Sequence, residues 1–242
     1  PWVLLGGIVV RDGVPDHMTF LVPESDYTID DVWHVAGLAG TGSNDIVIED
    51  AFVPERRVQP TSSQLGGAGV YKSPLYRLPF ASVFANSITA ATIGIAMGAV
   101  DAYREHTRKR VRASYGGEQS AADPFSQVRL ADATGELDDA RLQLRRNMDE
   151  LLQLAEAGQP IPNELRVRIR RDQVRGSRAA LRATDRVFES AGGRALFLDM
   201  PIQRAWRDVH AARVHAVNDT ERGLQMYGAH ELLGEAPAGS MI

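Results

Sequence analysis

The stretch FSQVRLADATGELDDARLQLRRNMDELLQLAEA, residues 125–157, decides the fold class of this chain. Its apolar residues recur at intervals of three and four, which is the period of an amphipathic α-helix. Gly158 and Pro160 follow at once and are typical of the end of a helix. The sequence therefore predicts one long helix with a single apolar stripe. That stripe consists of Leu137, Ala140, Leu144, Met148, Leu151 and Leu152.

Helical patterns continue on both sides of this segment. Residues 81–114, rich in Ala and Gly as far as Val100, predict a helix whose small side chains allow close packing. Asn163 is the predicted N-cap of a third helix, which ends at Gly192-Gly193. Amphipathic helices joined by short loops predict an α-helical bundle over residues 80–242. The shorter predicted helices of this bundle span about 201–217 and 219–227.

Residues 1–57 have the sequence pattern of a β domain instead. Short apolar runs alternate there with turn signals such as Asp12-Gly13, which predicts an antiparallel sheet or a small barrel. Residues 58–79 are loop-like and Gly-rich, and they are either a lid over a site or a plain linker. The chain is therefore predicted to be α+β, with a β-barrel or sheet domain followed by the helical bundle. The predicted strands span about 2–11, 17–22 and 45–53.

Composition excludes several classes of function. The 242 residues carry a net charge of −4, which argues against a protein that coats nucleic acid or an anionic membrane. The absence of cysteine excludes disulfides, thiolate metal sites and a cysteine nucleophile, and it fits a reducing cytoplasm. No run reaches the ~18 unbroken apolar residues of a membrane span. PWVLLGGIVV at the start resembles a strand under way rather than a signal peptide, so we expect further chain upstream.

Two groups of residues are candidates for chemistry. Arg110 and Arg112 belong to a basic cluster before Tyr115-Gly116, where they either complement a helix C-terminus or hold a phosphate. His210 and His215 lie about 140° apart around a helix, which is a poor arrangement for a shared metal ion, so no metal site is predicted. His215 by itself is either a packed helix residue or a general base.

Five ordered segments carry a resemblance to a known family. They are WHVAGLAGTGSND…EDAFVP, RVRASYGG, DPFSQVRLADA, SAGGRALF and QRAWRDVHAARVHAVNDTERGLQMYG. In this order they are similar to the acyl-CoA dehydrogenase superfamily. Within it they most resemble the oxygenase components of two-component flavin-dependent phenol monooxygenases, of the 4-hydroxyphenylacetate and 3-hydroxy-9,10-seco-steroid hydroxylase types. The resemblance implies an N-terminal helical domain, missing here, before the β domain and a C-terminal four-helix bundle.

The resemblance also implies a mechanism and partners. A separate NAD(P)H:flavin reductase is expected to supply the reduced flavin, which is FMN or, as the other option, FAD. Oxygen then converts the reduced flavin to a C4a-hydroperoxide. This species is expected to hydroxylate a phenol at the position ortho to its hydroxyl group. The enzyme is expected to be a cytoplasmic homotetramer. Many dehydrogenases of the superfamily place a catalytic glutamate shortly after the pair that matches Arg207-Asp208. This chain has no glutamate there until Glu221 and offers His215, whose imidazole suits a phenolic proton.

The flavin contacts implied by the resemblance come from two places in the chain. Arg112 or Arg110 is expected to hold the flavin phosphate or a nearby part of the cofactor. Gly193 and Arg194 are expected to approach the flavin across a subunit boundary.

The substrate contacts implied by the resemblance are His215, as catalytic base, and Ala216, both of which also line the flavin ring. Tyr71 and Tyr76 mark the predicted lid over the phenol. Two other functions stay open. One is an acyl-CoA dehydrogenase-like enzyme that oxidises a thioester with bound FAD, and the other is a non-catalytic helical scaffold that has lost the flavin.

Overall fold

The computed structural model describes residues 1–60 and 73–237. The first part of the chain is built from strands and the second from helices, which confirms the predicted α+β class. The chain divides into two compact units: Pro1–Val35 with Ala39–Phe80, and Ala36–Leu38 with Ala81–Ile242.

The first unit is organised around a long β-hairpin. β1 (Trp2–Arg11) and β2 (Val14–Pro23) pair antiparallel along their full length. Asp12 and Gly13, with φ of 50° and 80°, form the two-residue turn, which requires positive φ at both positions. Burial alternates along β1, so one face of the hairpin is partly covered while the other is exposed.

Three short strands complete the β structure that the first unit shows. β3 (Thr28–Asp30) pairs with β4 (Asp45–Val47), and β5 (Val58–Pro60) pairs with β2 to give the sheet order β1-β2-β5. The predicted strand over 45–53 is therefore too long. Asp50 adopts a φ of 51°, which takes the chain out of the extended conformation after β4.

The described part of the second unit contains five α-helices. A small antiparallel hairpin, β6 (Val111–Arg112) with β7 (Glu118–Gln119), separates the first two of them. The helices are α1 (Phe80–Lys109), α2 (Pro124–Glu156), α3 (Asn163–Ala191), α4 (Pro201–Arg213) and α5 (Thr220–Leu233).

The core of the helical unit is centred on α3, which packs against α2, α4 and α5. Apolar residues of α1 join the same core. Many core positions are alanines, among them Ala96, Ala133 and Ala180, each fully buried, so the helices approach one another closely. In the predicted stripe of α2, Met148 is partly buried and Leu152 is 38% exposed, whereas the other members are buried, namely Leu137, Ala140, Leu144 and Leu151.

The start of α3 and the end of α1 differ from the predictions. Pro162, rather than Asn163, is the N-cap of α3, because its fixed φ holds the extended conformation of a cap and Asn163 is already helical. The first helix stops at Lys109 instead of residue 114, because the chain after it pairs as the β6–β7 hairpin.

One helix of the described chain, α1, is long and apolar enough by length and composition to cross a membrane. Its buried face lies in the core of the helical unit, where Ile93, Ala96 and Val100 contact the other helices. This packing accounts for the buried part of its apolar surface.

Candidate functional site

Arg112 lies in β6 and is held by the first turn of α2. Its Nη2 forms an ion pair with Asp123 Oδ2 at 2.8 Å and donates to the Ser126 hydroxyl at 3.2 Å. Asp123 is the N-cap of α2 and accepts the backbone N–H groups of Phe125 and Ser126. The hydrogen bond from the Ser126 hydroxyl lowers the pKa of the Asp123 carboxyl, and the charge of Arg112 adds to this effect. The guanidinium of Arg112 is therefore held in place by its own chain.

Arg110 caps the C-terminus of a helix other than its own. Its Nη1 donates to the carbonyl oxygens of Ala191 at 2.6 Å and Ser190 at 3.2 Å, at the end of α3. Gly192 permits this approach. Its φ of 69° and ψ of −165° suit only glycine, and a Cβ there would lie 2.6 Å from Arg110 Nη2. Arg110 thus complements a helix C-terminus, but that of α3 rather than that of α1.

Both arginines line one cleft of about 630 Å³. Gly192 forms part of its wall, as does Phe125, whose side chain is 71% exposed. Guanidinium groups and an exposed aromatic ring around one cleft suit a ligand that combines a phosphate with a flat ring system.

One cation of this cleft, Arg129, is not among the residues predicted from the sequence. Arg129 lies one helical turn after Phe125, lines the cleft and is exposed, and it has no ion-pair partner in the described part of the chain. The signal that identifies it is the i, i+4 spacing from Phe125 within DPFSQVRLADA.

Gly193 and Arg194 follow the cleft wall directly and open a 3-10 turn, Gly193–Leu196. Arg194 pairs with Asp199 and stacks on the Phe197 ring, with Cζ 4.4 Å from the ring centroid. Its charge is thus engaged within its own loop. The loop exposes three consecutive apolar side chains, Leu196, Phe197 and Leu198, with exposed fractions of 67%, 57% and 86%.

His106 adds a titratable group to this end of the helical unit. Burial lowers the pKa of His106 from its usual 6.5, and the nearby charge of Arg110 lowers it further. Its Nε2 is buried and has no hydrogen-bond partner among the described residues. A neutral imidazole is therefore favoured next to the guanidinium that caps α3.

His215 lies in a turn, not on a helix. α4 ends at Arg213 because the Asn218 side-chain amide donates to the Ala212 carbonyl at 2.7 Å, and a further helical turn would need that carbonyl. The predicted helix over 201–217 was therefore too long. The predicted angle of about 140° between His210 and His215 does not apply, because His215 lies beyond the end of the helix. The imidazole is exposed, and its centroid lies 6.3 Å from that of the Phe84 ring.

The hydrogen bonding of His215 selects a tautomer. The backbone N–H of Val217 donates to Nδ1 at 3.2 Å. A neutral imidazole then carries its proton on Nε2, so Nε2–H is the group left for a ligand. Ala216, which follows, is also exposed and begins the short 3-10 turn Ala216–Asn218.

Part of the glycine-rich segment anchors α4, the helix that leads to His215. The backbone N–H of Leu38 donates to Asp208 Oδ1 at 2.7 Å, and the Arg207 guanidinium donates to the Ala36 carbonyl. Gly37 is buried between them, where a Cβ would lie 2.2 Å from the Arg207 carbonyl oxygen. Only glycine fits this contact.

The two candidate groups lie at different positions along α3. The Arg110 cleft adjoins Ala191, whereas Gln173 lies beside the turn that carries His215. These two α3 residues are separated by about 27 Å along the axis, at ~1.5 Å per residue. A single chain therefore brings Arg110, Arg112 and Gly192 together but does not bring His215 to them.

The remaining predicted residues are placed as follows. Tyr76 lies in a 3-10 turn of the first unit, Pro74–Arg77, and is 51% exposed. Tyr71 lies outside the described residues. The described residues contain no group of three or more His, Asp or Glu side chains arranged to hold a metal ion.

Comparisons with known proteins define the relatives of this chain. The family model for the acyl-CoA dehydrogenase C-terminal domain matches residues 86–220. The oxygenase subunit HsaA of a flavin-dependent monooxygenase from Rhodococcus jostii (strain RHA1) is 48% identical over 235 residues, 95% of this chain. The crystal structure of 3-HSA hydroxylase from Rhodococcus sp. RHA1 has a TM-score of 0.92 and 46% identity, covering 100% of this chain and 63% of that one.

A third relative is a solved flavin complex. XiaF from Streptomyces sp., in complex with FADH2 and glycerol, has a TM-score of 0.90 and 26% identity over 100% of this chain and 62% of its own. The chain spans 62% of the length of the Rhodococcus jostii subunit. The matched family model covers more than half of the chain, from α1 to the start of α5 beyond the His215 turn, so this chain belongs to the acyl-CoA dehydrogenase C-terminal domain family.

Proposed function

We propose that the full-length protein is the oxygenase component of a two-component flavin-dependent monooxygenase that hydroxylates a phenol ortho to its hydroxyl group. The observation that carries this proposal is the 48% identity, over 95% of the chain, to the oxygenase subunit of such an enzyme. The presence of His215, rather than a carboxylate, at the candidate site also supports a hydroxylase over a dehydrogenase. Abstraction of a proton next to a thioester needs a positioned carboxylate, whereas His215 offers an exposed imidazole.

The Arg110 cleft is the proposed site of the flavin phosphate. Arg112 is oriented there by Asp123 and Ser126, so it meets a phosphate with little further loss of side-chain freedom. Arg129, which lacks an ion pair in the described chain, supplies a second guanidinium for charge-assisted hydrogen bonds. Reduced FMN is the proposed flavin, with FAD as the alternative.

When bound, the reduced flavin supplies two electrons and the means to activate oxygen. In the overall reaction one atom of O2 enters a C–H bond of the phenol as a new hydroxyl, and the other atom leaves as water. The flavin leaves oxidised. A separate NAD(P)H:flavin reductase is the proposed source of the two electrons for the next turnover.

His215 is proposed to control the phenolic proton. In the tautomer set by Val217, Nε2–H stabilises a phenolate oxygen by donating to it. The general-base role predicted from the sequence requires an unprotonated ring nitrogen, and Val217 N–H occupies Nδ1, so the donor role of Nε2–H is the one proposed here. Ala216 beside it leaves room for an aromatic ring, because its side chain ends at Cβ.

The flavin site is proposed to be shared between two copies of the chain, within a homotetramer. The separation of about 27 Å along α3 supports this arrangement, since one flavin then meets the arginine cleft of one copy and the His215 turn of another. Gly193 and Arg194 lie on the side of the arginine cleft. The exposed apolar residues 196–198 give the same loop a surface suited to burial against a second copy.

The proposed substrate and location complete this assignment. The first compound to test is 3-HSA, the compound after which the Rhodococcus hydroxylase is named. The segment that contains Tyr71 and Tyr76 is proposed as a lid over it. The protein is proposed to act in the cytoplasm.

Rapid mixing of the full-length protein with reduced FMN, oxygen and the phenol tests the function. We expect a dihydroxylated product that requires both oxygen and added reduced FMN. Tightly retained FAD together with oxidation of an acyl-CoA thioester would instead identify a dehydrogenase. A full-length protein that binds no flavin would be a scaffold.

A further inference from the structure

A buried polar network lies beneath the turn that carries His215. Thr89 on α1, Gln173 on α3 and Asn218 behind the turn are each fully buried, and Arg170 on α3 is only 7% exposed. Polar side chains are costly to bury unless they are hydrogen-bonded, and apolar residues would pack the same space at less cost. A network at this position therefore calls for a reason other than stability.

The hydrogen bonds of this network permit only one orientation of the side-chain amides of Gln173 and Asn218. Gln173 Nε2 donates to Thr89 Oγ1 at 2.6 Å and to Asn218 Oδ1 at 2.8 Å. Thr89 Oγ1 donates to the same Asn218 oxygen at 3.1 Å. If either amide rotated by 180°, two donors or two acceptors would face each other. Asn218 is thus fixed in one orientation by residues from two other helices.

Asn218 transmits this fixed orientation to the backbone on both sides of His215. Its Nδ2 donates to the Ala212 carbonyl at 2.7 Å before the turn. Its own backbone N–H donates to the His215 carbonyl at 2.8 Å. The Arg213 guanidinium donates to the Asn218 carbonyl at 2.7 Å and closes the turn from α4. The peptide that carries the imidazole is therefore held by Asn218 from both ends.

Arg170 holds the remaining peptide of the turn. Its Nη1 donates to the Gln173 side-chain oxygen and to the Val217 carbonyl. Burial lowers the pKa of Arg170, and the nearby charge of Asp219 opposes this shift. Val217 is the residue whose N–H bonds His215 Nδ1, so Arg170 fixes the donor that selects the tautomer.

We propose that Thr89, Gln173 and Asn218 are positioning residues, which hold the His215 turn so that Val217 N–H occupies Nδ1 and Nε2–H is presented to the substrate. None of the three is placed in contact with the phenol. This inference rests on the proposed function for its catalytic consequence, whereas its structural part concerns the chain alone.

Two buried threonines of α1 provide a matched test in the full-length protein. Thr89 and Thr92 lie within one turn and are 0% and 1% exposed. The Thr92 hydroxyl donates only to its own helix, to the Ile88 carbonyl at 2.9 Å. Thr89→Val and Thr92→Val therefore make the same chemical change inside and outside the network, and Thr89→Ser keeps the hydroxyl.

The first readout is the amount of hydroxylated product formed per O2 consumed. The O2 that is consumed without forming product is released as hydrogen peroxide. We expect Thr89→Val to lower this yield about tenfold, because a displaced catalytic group costs up to ~100-fold. We expect unchanged affinity for reduced FMN, a yield near that of the parent protein for Thr92→Val, and recovery in Thr89→Ser. Equal yields in the two valine variants would overturn the proposal.

The second readout needs neither flavin nor substrate. Diethyl pyrocarbonate reacts with a ring nitrogen that has a free lone pair, and peptide mass spectrometry reports the rate at His215. We expect Thr89→Val to raise that rate several-fold by freeing Nδ1 from Val217, while Thr92→Val leaves it unchanged and His210 serves as the internal reference. An unchanged rate at His215 would overturn the proposal even if the yield had fallen.

These readouts separate the positioning inference from the proposed function. If the parent protein hydroxylates no phenol, the proposed function fails, while the carbethoxylation rates still decide whether the network holds His215. If Thr89→Val does not fold, Thr89→Ala and Thr92→Ala make the same comparison without added bulk.

Discussion

Two regions of α3, its C-terminus and the part around Gln173, hold the candidate residues in different ways. At its C-terminus, Arg110 is held by two backbone carbonyls and Arg112 by an ion pair, and both line a cleft that is open to a ligand. Beside Gln173, in the first half of α3, the His215 turn is held by buried amides and a hydroxyl together with the guanidinium groups of Arg170 and Arg213. The guanidinium groups of the first arrangement border an open cleft, whereas Thr89, Gln173 and Asn218 in the second are buried and bonded to one another. The cleft is suited to binding, and the turn is suited to holding one group in a fixed place.

The largest expected effect concerns the exposed member of the turn. His215→Ala should lower the rate of phenol hydroxylation by about 10²–10⁴-fold, the range expected for loss of a residue that acts in acid–base catalysis. Reduced FMN should still bind, since the arginines of the cleft remain, and the oxygen consumed should be released as hydrogen peroxide. The product yield should partly recover at high pH, where the phenol ionises unaided. An unchanged product yield at neutral pH would show that the imidazole is only a structural residue of the turn.

The next effect concerns the cleft. Arg112→Ala should weaken binding of reduced FMN by about 10- to 100-fold, because a charge-assisted hydrogen bond contributes ~1.5–3 kcal/mol. Arg112→Lys should recover part of this affinity, since it keeps the charge but not the paired donors. Arg145→Ala, on an exposed part of α2, is the control. Unchanged FMN affinity in Arg112→Ala would move the phosphate contact to Arg110 or Arg129.

A smaller effect is expected at the glycine that admits Arg110 to the end of α3. Gly192→Ala should lower the free energy of unfolding by roughly 1–3 kcal/mol, because its backbone conformation suits only glycine and its Cβ would displace the guanidinium. Gly193→Ala is the matched control, since a Cβ there meets nothing within 4 Å. Denaturant unfolding of the two variants measures the difference, and equal stabilities would contradict this account of the cap.

The smallest effect is a pH dependence of stability at the same end of the unit. Burial and the charge of Arg110 lower the pKa of His106 from 6.5. Above pH 6.5 the ring is neutral in the folded and unfolded chains. Below pH 6.5 the unfolded chain takes up the proton first, so the free energy of unfolding falls until the folded ring is also protonated.

Thermal unfolding of His106→Gln between pH 7 and about 5 tests this linkage. The variant should lose less stability on acidification than the parent protein. The exposed His34, replaced in the same way, serves as the control. Parallel pH curves for the parent and His106→Gln would show that His106 does not contribute.

Much of the helical unit was predictable because its signals are local. The apolar stripe that contains Leu137 and Leu144 defined α2 to within a residue at each end, since a period of 3.6 is set by the helix itself. Gly192 marked the end of α3 for the same reason. The Asp123 cap of α2 is a local device too, although the sequence analysis did not identify its bond to Arg112.

The sequence by itself determined the α+β class, the helices α1 to α3 and the resemblance that points to a flavin oxygenase. The tertiary structure alone decided where α4 ends, which ring nitrogen of His215 is left for a ligand and which helix Arg110 caps. Each of these depends on a partner far away in the chain, such as Thr89 for Asn218 or Ala191 for Arg110. A hydrogen bond between remote residues leaves no periodic trace in the sequence, because only the packing of the helices brings its donor and acceptor together.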